Sequence, residues 1–181
     1  MGRHMSDIHL PDLWDRVSAH FSTAAALSRV EVMAQMGTQA EGWWKAEMMF
    51  LLECLCRDNS IQHWCPEASS GIGGQKVDLI ADAVVIELKT ALCTRQKGVI
   101  WRLQDHVDWI AGDVAKLSEL KMRWHDKKQF FVVVMAYPSP PARDWEILLE
   151  KIATKSTDVV TLSRIDEIGN GLLSIGWLNV G

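Results

Sequence analysis

Two β-rich stretches, residues 76–81 and 84–89, lie so close together that they constrain the fold more than any other feature of the sequence. Only Asp82-Ala83 separates them, and a connection of this length joins antiparallel strands in a β-hairpin. If the chain turns tightly there, the numbers of facing residues sum to 165. Asp78 then lies directly opposite Glu87, although Asp-Ala is a weaker hairpin turn than Asp-Gly.

The other periodic segments place this hairpin in an α/β domain. Apolar residues at helical spacing alternate along the chain with short runs of β-branched and aromatic residues. The predicted helices span residues 11–36, 40–57, 99–124 and 143–155, and the further predicted strands span 61–66, 130–137, 159–162 and 172–178. Because no repeat or long linker is visible, we expect one domain over residues 6–181 with a mixed central sheet. Residues 1–5 resemble the remnant of an expression tag.

Composition and charge exclude several functional classes. The net charge of −4 gives no global attraction to nucleic acid, so any such contact must use a local basic surface. No apolar run approaches the ~20 residues that span a bilayer, and we expect a cytoplasmic protein with no membrane partner. The cysteines are expected to be reduced, since Cys54-Leu55-Cys56 and His63-Trp64-Cys65 lack the usual spacing of a zinc site. Most of the nine tryptophans are expected to be core or interface anchors.

The hairpin carries charged residues among apolar neighbours, where burial would be unfavourable for a charge. Glu87 and Lys89 share one face of their strand, and such a pair is usually an ion pair on a solvated face. Here the flanking residues are apolar enough for a central strand, and Asp78 faces Glu87. Two facing carboxylates repel, so a raised pKa, the lysine or a bound divalent cation must compensate. Two carboxylates with open positions for water and phosphate suit Mg²⁺.

Asp78 followed by Glu87-Leu88-Lys89 resembles the D…ExK signature of the PD-(D/E)xK, or restriction-endonuclease-like, nuclease superfamily. Residues 43–47 resemble the core helix that precedes this signature, and residues 113–117 resemble the helix that follows it. The likeness covers about residues 40–137. It implies an αβββαβ core with a mixed central sheet, an extra N-terminal helix and C-terminal α/β additions. Val77 stands where the name of the superfamily implies proline, which many active members also lack.

This resemblance implies a nuclease that depends on Mg²⁺ or Mn²⁺. Asp78 and Glu87 would bind the metal with the Leu88 carbonyl, and Lys89 would position and activate the attacking water. Glu47 would complete the metal site, with Glu41 and Glu53 as alternatives on the same helix. The nucleic acid, expected to be DNA, would be steered by four basic residues: Lys116, Arg95, Lys97 and Arg102.

Two other interpretations stay open at this point. An inactive nuclease fold would serve as a protein- or nucleic-acid-binding or assembly module, which the acidic charge and the tryptophan content favour. Nuclease chemistry on RNA or branched DNA is the second, because no sequence-reading motif separates these substrates. Duplex-cutting members often work as dimers, and analogy with them suggests a homodimer.

Overall fold

The structure is a computed structural model that describes residues 10–36, 41–69, 74–93, 95–96, 99–124, 128–156 and 159–181. Within these ranges the helices are α1 (Leu10–Phe21), α2 (Ala24–Met36), α3 (Glu41–Arg57), α4 (Val107–Arg123) and α5 (Ala142–Lys155), with a 3-10 turn at Leu103–His106. The strands are β1 (Trp64–Ser69), β2 (Lys76–Ala81), β3 (Val84–Leu92), β4 (Arg95–Gln96), β5 (Val99–Ile100), β6 (Gln129–Tyr137), β7 (Val160–Ile168) and β8 (Leu173–Val180).

Six of the strands form one mixed sheet in the order β1-β2-β3-β6-β8-β7, and β4 pairs with β5 separately. β3 and β6 run parallel, and the other neighbours in the sheet run antiparallel. The two parallel strands are buried along almost their whole length, whereas β1 and β7 at the edges alternate between partly buried and exposed residues. Strands covered on both faces are expected at the centre of an α/β sheet. The α/β prediction with a mixed sheet flanked by helices is confirmed.

Helices cover both faces of this sheet. On one face, α1, α2 and α3 pack side chains such as Trp44 against β-strand residues that include Ile86. On the other face, α4 and α5 place Ile110 and Leu148 against residues such as Val132. Each large apolar side chain buried in this way contributes about 1.5–3 kcal/mol relative to an exposed one. Because side chains alternate along β3, its charged residues must enter one of these two layers.

The hairpin has the register expected from the sequence. Leu79 pairs with Ile86 and Ala81 pairs with Val84, so the facing numbers sum to 165. The turn is closed by Asp82, whose φ of 46° lies in the left-handed region that Asp tolerates better than most residues. Asp78 comes one step beyond the Leu79 pair, and its carboxylate accepts the N–H of Leu88 at 2.9 Å.

Two predicted helices differ from the observed ones. The single helix expected over 11–36 is broken between α1 and α2, because Thr23 caps the second helix by accepting the N–H of Ala26 at 3.3 Å. The helix expected over 99–124 begins only at Val107. Val99 and Ile100, which are β-branched, pair in a short strand instead. Asp105 then accepts the N–H of Arg102 at 2.7 Å at the start of the 3-10 turn.

The strands flanking these helices also differ in their limits. The strand expected over 61–66 begins at Trp64, because the Asp82 carboxylate accepts the backbone N–H groups of Gln62 and His63 ahead of it. The two C-terminal strands are longer than expected and pair with each other along most of their length. Among the described residues, no helix is both long and apolar enough to cross a membrane.

Candidate active site

Four elements bring seven ionisable side chains together around the β2–β3 hairpin. β2 supplies Asp78 and β3 supplies Glu87 and Lys89, while α3 and α4 supply two residues each. We call this group the carboxylate–lysine cluster; its members are Glu41, Lys45, Asp78, Glu87, Lys89, Asp113 and Lys116. Four of the predicted site residues therefore lie in one cluster: Asp78, Glu87, Lys89 and Lys116. Hairpin pairing and the alternation of β3 place the first three on the face that α4 covers.

Glu87 is the most deeply buried member, with 3% of its surface exposed. Its Oε1 atom lies 2.5 Å from Nζ of Lys116. The pKa of the Glu87 carboxyl is raised to about 8, chiefly by burial and also by the charges of Asp78 and Asp113, while Lys116 partly opposes the rise. A carboxyl in this position accepts a negative charge only with a compensating cation.

Asp78 lies beside Glu87, but its pKa is shifted in the opposite direction. Burial by itself would raise the pKa of Asp78, but the N–H of Leu88 at 2.9 Å and Nζ of Lys45 at 3.0 Å outweigh it. The pKa of Asp78 therefore lies below its usual range. Lys45 also contacts Glu67 at 2.8 Å, so it holds Asp78 while bound to a second acid. The surroundings of the two facing carboxyls therefore shift their pKa values in opposite directions. Neighbouring acids with such different pKa values are found at catalytic sites.

Lys89 reaches from β3 to two acids on different helices. Its Nζ atom lies 3.1 Å from Asp113 Oδ2 and 3.5 Å from Glu41 Oε2. Burial would lower the pKa of Lys89, but these two carboxylates raise it overall, so the side chain stays protonated at neutral pH. The pKa values of both Asp113 and Glu41 are raised, chiefly by burial and partly offset by Lys89.

The helical acid nearest this group is Glu41 and not Glu47. Glu47 lies further along α3, where its carboxylate contacts Nε2 of His20 at 2.8 Å and a guanidinium nitrogen of Arg29 at 2.7 Å. Six residues along an α-helix correspond to about 240° of rotation, so Glu41 and Glu47 point in different directions. Glu41, one of the two alternatives named from the sequence, is therefore the helical acid that contacts the predicted site residues.

The remaining predicted residues lie in different places. Glu53, the other alternative, binds Arg57 at 2.8 Å and the indole N–H of Trp64 at 3.1 Å. Lys116 belongs to the cluster, and Arg102 is exposed ahead of the 3-10 turn. Lys97 and the side chain of Arg95 lie outside the described residues. The four cysteines, Cys54, Cys56, Cys65 and Cys93, are free thiols.

Sequence reasoning did not assign roles to Lys45 and Asp113. Both carry a recognisable signal. Lys45 follows Glu41 by four residues on α3, and Asp113 precedes Lys116 by three on α4, so each pair shares a helix face. Charged pairs at these spacings are common on solvated helices, however, and only the packing of both helices against β3 shows that they converge.

The donor set fits a hard divalent cation. Asp78 and Glu87 present carboxylate oxygens, and the main-chain carbonyl of Leu88 lies between Glu87 and Lys89 in sequence. The raised pKa of Glu87 indicates a carboxylate whose charged form a cation would stabilise. Within the described ranges, no group of three or more His, Cys, Asp or Glu side chains is placed to hold a metal ion. A cation held by this pair would therefore complete its shell with water and phosphate oxygens, as Mg²⁺ commonly does.

In comparisons with known proteins, no family model, no curated protein and no solved structure matches the chain.

Proposed function

We propose that this chain is a metal-dependent nuclease of the PD-(D/E)xK superfamily that hydrolyses phosphodiester bonds, with DNA as the expected substrate. The observation that carries the proposal is the contact between two carboxyls on adjacent strands, Asp78 and Glu87, with Lys89 two residues along the same face. Burial opposes the charge of both acids, and fold stability gives no reason to place them there.

The order of elements supports this assignment. When the separate β4–β5 pair and the 3-10 turn are left aside, α3, β1, β2, β3, α4 and β6 occur in the αβββαβ order that the resemblance implies. The strands of this set are adjacent in the sheet, and the signature residues lie on β2 and β3 near its centre. α1 and α2 then form the N-terminal addition, and α5, β7 and β8 form the C-terminal one.

In the proposed site, Asp78, Glu87 and the Leu88 carbonyl would hold Mg²⁺ or Mn²⁺. The bound ion would polarise the scissile phosphate and neutralise charge on the departing oxygen. Lys116 now contacts Glu87, so a cation at that carboxylate would release its ammonium group to contact the phosphate backbone.

Lys89 and Glu41 have different roles toward the attacking water: Lys89 orients it and Glu41 accepts its proton. Because its pKa is raised, Lys89 acts as a protonated donor that orients the water and stabilises negative charge on the phosphate. Positioning the attacking water is the role expected for Lys89 from the sequence, and acceptance of the water's proton falls to a different group. Glu41 contacts Lys89, is partly exposed and has a pKa moved upward toward neutrality. A carboxylate with those properties is suited to accept the proton of the water.

A specific observation also favours the alternative of a binding module. Two shallow cavities of about 370 and 290 Å³ lie along α2 and α3 and share Arg29. The exposed side chains of Val32 and Phe50 line them. Exposed apolar surface of this kind is typical of protein contacts, including contacts between copies of one chain.

Cleavage of a mixed substrate panel tests the proposal. The panel contains plasmid, linear duplex, single-stranded DNA, branched DNA and RNA, each with Mg²⁺, Mn²⁺ or EDTA. We expect cleavage that needs the metal, that is abolished in Asp78→Asn, and that falls by about 10²–10³ in Lys89→Ala. Lys151→Ala changes an exposed lysine on α5 and should cleave like wild type. Absence of cleavage on every substrate, or equal cleavage by Lys89→Ala, contradicts the proposal.

A further inference from the structure

An exposed aromatic group lies where the 3-10 turn meets α4. Trp101 and Trp109 keep 40% and 54% of their surface exposed, although tryptophan is usually well buried. Between them lies His106, whose ring centroid is 6.2 Å from that of Trp101 and 5.6 Å from that of Trp109. We call these three residues the aromatic group.

The aromatic group adjoins the carboxylate–lysine cluster. Trp109 precedes Asp113 by four residues and Lys116 by seven, so the three side chains follow one flank of α4. Residues four apart on a helix are about 6 Å from each other, which places Trp109 one turn beyond the acid that contacts Lys89. His106 ties the group to the end of β3, since its Nε2 atom lies 3.4 Å from the Leu92 carbonyl oxygen.

The buried histidine supports the two indoles without adding charge. His106 is 3% exposed, and burial lowers the pKa of its imidazole, so the ring is neutral at pH 7. Its Nδ1 atom has no hydrogen-bond partner among the residues that the structure describes. This neutral ring therefore packs between two indoles that remain open to solvent.

We propose that Trp109, with Trp101, stacks an unpaired base of a single-stranded nucleic acid next to the phosphodiester site. This inference rests on the proposed nuclease function and narrows its substrate class. An exposed aromatic side chain offers a π-face to any base, and such stacking contributes without sequence preference. Bases inside a duplex are already stacked on both faces, so a duplex gains nothing from these indoles. Lys116 lies on the same flank of α4 as Trp109, seven residues along, so its ammonium group is placed to contact a phosphate of the same strand.

Oligonucleotide binding in EDTA tests stacking without cleavage. Fluorescence anisotropy is measured with labelled single-stranded DNA and RNA of about 12 nucleotides, a length typical of single-strand sites. A duplex of the same length and a single strand lacking its bases complete the set. We expect single strands with bases to bind, and Trp109→Ala to weaken that binding roughly 5- to 150-fold. The DNA and RNA arms show which backbone carries the unpaired base.

Three variants control for effects other than stacking. Trp109→Phe keeps an aromatic face and should restore most of the affinity, and Trp101→Ala should weaken binding less than Trp109→Ala. Met122→Ala removes an exposed apolar side chain at the far end of α4 and should bind like wild type. Thermal unfolding of each variant separates loss of stacking from loss of fold.

The outcomes separate this inference from the nuclease proposal. The stacking site is refuted if wild type binds no single strand, if the base-free strand binds equally well, or if Trp109→Ala binds like wild type. Metal-dependent cleavage that needs Lys89 would in that case still support the nuclease. If no substrate is cleaved but Trp109→Ala loses single-strand binding, the nuclease proposal fails and the stacking site stands. If Trp109→Ala alters sedimentation and leaves oligonucleotide binding unchanged, the surface is a contact between copies of the chain and the inference is overturned.

Discussion

The buried charge of Glu87 should make the protein less stable as the pH rises. The pKa of this carboxyl is about 8 in the folded chain against 4.5 for a free glutamate side chain. Because the folded pKa is raised, the folded state holds the proton more tightly than the unfolded state between these two values. The contribution of Glu87 to stability is therefore greatest below pH 4.5 and is lost as the pH rises toward 8.

Glu87→Gln keeps the shape of the side chain and removes this loss. At about 1.4 kcal/mol per pKa unit, the difference between wild type and variant should reach about 5 kcal/mol above pH 8. It should be about 3 kcal/mol at pH 7 and about 1 kcal/mol at pH 5.5, by the same relation. The variant is the more stable protein at each of these pH values.

Urea unfolding followed by tryptophan fluorescence measures these differences in EDTA. Burial also lowers the pKa of His106, and the contribution of this ring to the pH dependence cancels when the two proteins are compared at one pH. Glu150→Gln, an exposed position on α5, should differ little from wild type at any pH. A Glu87→Gln protein that is less stable than wild type at pH 8, or a difference that does not shrink toward pH 5.5, would refute the reasoning.

Three further predictions concern the stability of variants at Lys45, Gly176 and Gly42. Lys45→Met removes the ammonium that lies 3.0 Å from Asp78 and should cost about 1–3 kcal/mol in urea unfolding at pH 7. Since the pKa of Asp78 is lowered in the fold, this cost should diminish as the pH falls to 4 and below. Gly176→Ala would place a Cβ atom 2.3 Å from Cζ3 of Trp145, so unfolding should become easier by about 1–3 kcal/mol or more. Gly42→Ala meets no atom within 4 Å and lies inside α3, so its melting temperature should stay equal or rise.

The hairpin could be predicted from the sequence because its determinants are local. A two-residue connection and strict alternation leave one register that keeps Leu79, Ile86 and Leu88 together on an apolar face. The register of the hairpin alone is therefore enough to predict that Asp78 lies beside Glu87. The parallel pairing of β3 with β6 could not be predicted from the sequence, because the neighbour of a parallel strand is determined by packing across the whole sheet.

The helical acid could not be chosen from the sequence. Glu47 shares a helix face with the buried residues Trp44 and Leu51, and this spacing indicates that its side chain points inward. That direction leads to α1 and α2, where His20 and Arg29 meet the carboxylate. Helix periodicity identifies a buried face but not the element that covers it.

Binding of Mn²⁺, followed by electron paramagnetic resonance of the free ion at pH 8, tests the central claim most directly. We expect wild type to bind one ion, and both Glu87→Gln and Asp78→Asn to leave it free, because each removes one of two carboxylate ligands. Glu47→Gln should bind like wild type, since Glu47 contacts His20 and Arg29. Free Mn²⁺ in the presence of wild type, or equal binding by wild type and Glu87→Gln, would show that the paired carboxyls are not a metal site.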